Sequence, residues 1–123
     1  MLAAGGALGT LLRYSLSGYT YRVFGGVFPY GTLVVNLAGS FAIGLLWGMF
    51  EGGNLSPNLR NFIFIGMLGG FTTFSTFALE SFHLFRDGEL RLALSNILVS
   101  NVAGVLFVFA GLILAKSIVN FMR

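Results

Sequence analysis

The chain has 123 residues, of which 56% are hydrophobic and only 9% charged, with a mean hydropathy of +0.89. Soluble domains carry roughly a quarter charged residues, so water is not the solvent for most of this surface. Cysteine is absent, which excludes disulfides, thiolate metal sites and cysteine nucleophiles. One His and four acids leave little for acid–base catalysis, so the chain does not read as an enzyme. A net charge of +3 comes from seven Lys/Arg scattered singly, and without a basic cluster there is no footprint for nucleic acid.

A bilayer helix needs about 20 apolar residues, so residues 1–123 supply four spans and read as one all-helical membrane domain surrounded by lipid. The first span runs from about Leu2 to Tyr21 and is rich in Gly, Ala and Leu, although Arg13 interrupts it. It lacks a basic leader region and precedes further spans, which argues against a signal peptide. Arg22 to Tyr30 follows with Gly25, Gly26 and Pro29, which is turn chemistry. Thr32 to Phe50 is charge-free and forms the second span. Glu51 to Arg60 carries Gly52, Gly53, Asn54 and Pro57, another turn. The third span, charge-free from Asn61 to Leu79, extends as a helix to about His83, and Arg86 to Arg91 holds Asp87 and Gly88. Leu92 to Ala115 is the fourth span. These apolar runs are continuous and do not alternate at period two, which argues against a β-barrel.

Four spans place Arg60, Lys116 and Arg123 on one side of the membrane and Arg22, Arg86 and Arg91 on the other. Orientation follows Lys/Arg asymmetry near span ends, and this balance carries almost no instruction. Dual topology is the expectation, with copies inserted both ways and paired antiparallel about a two-fold axis in the membrane plane. The alternative is that the first span or an insertion partner sets one orientation.

Gly69-Gly70-Phe71-Thr72-Thr73-Phe74-Ser75-Thr76-Phe77 puts poor helix formers at the middle of the third span. A break there, near the bilayer centre at about Thr72, exposes backbone oxygens suited to a hard cation, provided they are buried in protein or line a watery cavity. The competing reading is that Gly66, Gly69 and Gly70 only permit close helix packing. Asn36, Ser40, Gly44 and Gly48 recur every four residues on the second span, and Asn96, Ser100 and Gly104 do so on the fourth. Such narrow polar-to-small faces either glue helices or line a path for a small hydrated solute. Phe74 and Phe77 share a helix face. Packing is their default role, yet ring edges carry positive quadrupole character and attract anions.

Gly5-Gly6-Ala7-x-Gly9 with Arg13-Tyr14, Gly31-Thr32-Leu33-x-x-Asn36-x-x-Gly39, and the Gly69 to Phe77 stretch followed by Glu80 together resemble the ordered signature of the Fluc/CrcB fluoride channels. The resemblance spans all four helices. It implies an antiparallel homodimer in the inner membrane, with two passive pathways for fluoride export and a central structural sodium ion. By motif position, the backbone carbonyls of Gly69 and Thr72 would hold the sodium. Asn36, Phe74 and Phe77 would line the fluoride pathway, joined by Asn96 and Ser100 on the last span. Gly104 departs from the pattern, where relatives often carry another hydroxyl. Arg13 would sit near an aqueous vestibule, or alternatively pair with Glu80 or helix-end carbonyls. A dual-topology multidrug exporter would also fit the size and charge balance, but needs a carboxylate in the first span, which has none. An accessory subunit would explain the glycine faces and leave the Thr-Thr-Phe-Ser-Thr-Phe segment without a reason.

Overall fold

The computed structural model describes residues 1–53 and 55–123, and Asn54 of the second turn lies outside the described residues. The elements are α1 (Leu2–Phe24), α2 (Tyr30–Phe50), α3 (Pro57–Arg60), a π-helical segment (Asn61–Met67), α4 (Leu68–Phe71), α5 (Phe74–Arg86) and α6 (Leu90–Met122). Elements α3 to α5 with the π segment form one composite pass. That pass, α2 and α6 are each long and apolar enough to cross a membrane. The 23-residue α1 matches α2 in length but is less apolar.

The third and fourth helices run beyond their charge-free stretches. The third pass starts at Pro57 instead of Asn61, because Ser56 caps it by accepting from the Leu59 amide at 3.3 Å and Pro57 occupies the first turn. The fourth continues past Lys116 to Met122. Charged side chains end an apolar window but not a backbone ladder, since long basic side chains reach for the interface while their stems stay on the helix. After α5 the chain reverses on Gly88 at φ 81°, with Gly88 N–H donating to Phe85 O and Glu89 N–H to Leu84 O. This paired closure of the last carbonyls needs a left-handed residue, which glycine adopts without penalty.

Two seams of backbone-to-backbone contact hold the passes together. Along the first, a Cβ on Gly5 would lie 2.5 Å from Phe62 O, one on Gly70 2.7 Å from Gly6 O, and one on Gly9 would enter Met67 O. Along the second, between α2 and α6, Gly44 faces Val108 O and Gly111 faces Phe41 O with no room for a methyl. Lipid is as apolar as leucine, so such close approach supplies attraction that solvent exclusion does not. The fully buried apolar side chains, Val35, Ala93 and Ala115, are accordingly small, while large ones such as Leu11, Leu98 and Ile113 point outward.

The competing readings of the third-pass glycines divide by residue. Gly66 and Gly70 press on α1, whereas Gly69 would meet nothing within 4 Å if it bore a Cβ. The π segment, unforeseen in the sequence, lies where α1 comes closest, opposite Gly5.

Candidate functional site

The third pass is broken midway. Thr72 (φ −86°, ψ 158°) and Thr73 (φ −150°, ψ 117°) are extended, a conformation that β-branched residues favour. Gly39 of α2 leaves the space filled by the Thr72 methyl and the Phe71 ring. The amide of Thr72 still donates to Leu68 O at 3.0 Å, and its hydroxyl donates to the same oxygen. Beyond that residue the ladder is diverted. Thr73 N–H donates to Asn36 Oδ1 at 2.8 Å, and Asn36 Nδ2 donates to Thr73 O at 2.9 Å. The Thr73 hydroxyl caps α5, accepting from Thr76 N–H at 3.3 Å.

Two clefts flank this pair. One, of about 340 Å³, is lined by Asn36, Ser40, Gly69, Thr72, Thr73 and Phe74 among others. The second, of about 290 Å³, is lined mostly by polar side chains, including Thr10, Arg13, Ser17, Thr32, Thr73 and Thr76. Thr73 borders both.

Phe74 and Phe77 stand 5.5 Å apart between ring centroids, tilted at 55°. Their settings differ: Phe77 is buried at 8% exposure, whereas Phe74 is 76% exposed beside the first cleft. Asn96 is 1% exposed. Its Nδ2 donates to Ser81 Oγ at 3.0 Å, Ser81 Oγ donates to Phe77 O at 2.9 Å, and Ser100 Oγ donates to Asn96 Oδ1 at 3.3 Å. The polar residues of α6 are therefore chained to the turn of α5 that carries Phe77. On the facing stretch of α2 and α6, Gly44 and Gly48 serve packing, and Gly104 looks toward Ser40.

Glu80 Oε1 accepts from Thr32 Oγ1 at 2.8 Å and from Tyr21 OH at 3.1 Å. Its Oε2 is buried without a partner among the described residues. Glu80 does not pair with Arg13: among the described residues the only ion pair joins Arg86 and Asp87 at 2.9 Å. The hydrogen bond from Arg86 holds the Asp87 carboxyl below its ordinary value.

Thr73 as the partner of Asn36, Ser81 as that of Asn96, and Tyr21 with Thr32 around Glu80 are not singled out by sequence reading. For the α5 residues a signal exists, because Thr73, Thr76 and Glu80 recur at helical spacing, as do Phe77 and Ser81. Their partners sit on other helices, and nothing local marks them.

A discontinuous apolar helix with polar groups gathered at its break defines a multi-pass membrane protein of the channel and transporter kind. Residues 1–112 match the family model described as CrcB-like protein, Camphor Resistance (CrcB), and the chain belongs to that family. It is 46% identical over 123 residues to the fluoride-specific ion channel FluC of Parabacteroides distasonis, covering 100% of this chain and 96% of the relative. It is 48% identical over 118 residues to FluC of Geotalea uraniireducens, with 95% of each chain covered. With FluC of Citrifermentans bemidjiense it shares 50% identity over 114 residues and 92% of each chain. These relatives bear the name of an ion channel, in keeping with a chain that does not read as an enzyme.

Proposed function

We propose that this chain is a passive fluoride-selective channel, working as an antiparallel homodimer of four-span protomers that lets fluoride leave the cytoplasm down its electrochemical gradient. The observation that carries the reading is the mid-span break, with Phe74 exposed at its edge, a cleft holding Asn36 and Ser40 on one side and a cleft lined mostly by polar side chains on the other. Near-full-length identity to channels named for fluoride supplies the ion. Each dimer would hold two pathways bordered by Asn36, Phe74, Phe77, Asn96 and Ser100, with ring edges and weak donors contacting the anion. Arg13 borders the second cleft with no ion-pair partner among the described residues, and a cation there raises the local concentration of anions.

A structural sodium ion at the two-fold axis fits the donors at the break. The oxygens available to a cation there are those of the backbone at the break together with the hydroxyl and amide side chains that border the cleft. Gly69 and Thr72 border the first cleft together, and Gly69 presents open space in place of a side chain. A bound sodium would neutralise the carbonyl dipoles that two facing breaks bring together. The near-equal distribution of Lys/Arg at the span ends supports insertion in both orientations.

The test is fluoride efflux from liposomes carrying the purified protein. A fluoride electrode should register release down the gradient without protons or nucleotide, and chloride should stay inside. Efflux no greater than from empty liposomes would defeat the proposal.

A further inference from the structure

We propose that Asn36 and Thr73 are positioning residues for the cation site: their side chains divert two backbone amides and so release the Gly69 and Thr72 carbonyls. In an uninterrupted helix each amide donates to the carbonyl four residues earlier, which assigns Thr73 N–H to Gly69 and Thr76 N–H to Thr72. Here the first goes to Asn36 Oδ1 at 2.8 Å and the second to the Thr73 hydroxyl at 3.3 Å. Among the carbonyls left without helical donors at the break, those of Gly69 and Thr72 belong to residues bordering the same cleft. The inference rests on the sodium reading above and adds the cause of the carbonyls' freedom.

Competition between acceptors sets the break. A backbone amide without a partner is costly in a low-dielectric interior. Were Asn36 Oδ1 removed, the Thr73 amide would turn back toward Gly69 O. Were the Thr73 hydroxyl removed, the Thr76 amide would turn toward Thr72 O. Asn36 also donates through Nδ2 to Thr73 O at 2.9 Å, which holds the extended residue by both its polar groups. An amide nitrogen carries two protons, so Asn36 keeps one for a passing anion. Its oxygen shapes the backbone, and the residue itself borders the first cleft.

The experiment measures ²²Na⁺ binding to the purified full-length protein in detergent, with the wild type beside Asn36→Ala, Thr73→Val, Thr73→Ser and the seam variant Gly111→Ala. Asn36→Ala and Thr73→Val should each bind sodium about tenfold more weakly, the worth of one hydrogen bond. Thr73→Ser keeps the capping hydroxyl and should retain wild-type affinity. Gly111→Ala presses a methyl against Phe41 O on the seam between α2 and α6, lowers stability away from the break and should leave sodium affinity unchanged, which separates positioning from general loosening. Thr73→Val is close to isosteric and serves if Asn36→Ala fails to yield a monodisperse protein. Wild-type binding with unaltered affinity in Thr73→Val and in Asn36→Ala would overturn the positioning role and leave the sodium reading standing. No sodium binding by the wild type would overturn both.

Discussion

The two halves of the third pass are held by opposite means. From Asn61 to Phe71 the helix lies backbone to backbone on α1, with Gly5, Gly9, Gly66 and Gly70 leaving no room for a methyl group. From Phe74 to Arg86 its neighbours hold it through side chains: Ser81 receives from Asn96, and Glu80 receives from Thr32 and Tyr21. Contact between backbones is rigid and admits no substitution, whereas side-chain hydrogen bonds tolerate adjustment by rotamer. The extended Thr72–Thr73 pair lies at the junction. One half is clamped so that the other can be displaced from the helical line and its polar groups turned toward the clefts.

The sharpest way to break this comparison is a single methyl on each side of α1. Gly9→Ala drives its Cβ into Met67 O, and overpacking of that kind costs about 1–3 kcal/mol or more. Gly6→Ala meets nothing within 4 Å and should stay within about 0.5 kcal/mol of wild type. Thermal unfolding followed by loss of the monodisperse peak on size exclusion checks both. Equal behaviour of the two variants would remove the backbone seam.

In the polar half, Asn96→Leu strips Ser81 of its donor and Ser100 of its acceptor, and should lower stability by about 1–3 kcal/mol in the same assay. A smaller and more telling contrast lies in the phenylalanines. Phe77→Ile alters a buried ring and should cost under about 1.5 kcal/mol, while Phe74→Ile alters an exposed one and should leave stability unchanged. Both should depress fluoride efflux from liposomes with the dimer intact. Unchanged flux in both would leave the ring edges no part in conduction.

The smallest effect is expected in the loop after α5. Arg86 holds the Asp87 carboxyl below its ordinary value, so this contact favours the folded state above the unfolded carboxylate's titration range. The contribution is lost as pH falls through the lowered folded value. Both side chains are more than half exposed and screened by solvent, so Asp87→Asn should leave the melting temperature unaltered at neutral pH.

Much of this arrangement is legible along the chain. Charge-free stretches mark the three apolar passes, and the crowding of glycine and threonine between Gly69 and Thr76 marks a weak point in the third. Within that window, helix propensity does not say which peptide lets go. Thr72 and Thr73 yield because Asn36, a whole helix away in sequence, offers an acceptor at that height. The glycines show the same limit, since Gly69 and Gly70 are neighbours and only Gly70 touches α1. Hydropathy also understates length, as at Pro57 and beyond Lys116, because it records where charge begins and not where hydrogen bonding stops.

Composition pointed to lipid as the solvent, since 9% charged residues is far below what soluble surfaces carry, and the continuous charge-free runs pointed to helices. Motif order determined the family. Which carbonyls are released, which phenylalanine is exposed, and which hydroxyl answers each buried amide were decided only by the packed structure. Hydrogen bonds between passes depend on the height and rotation of neighbouring helices, and local sequence carries neither.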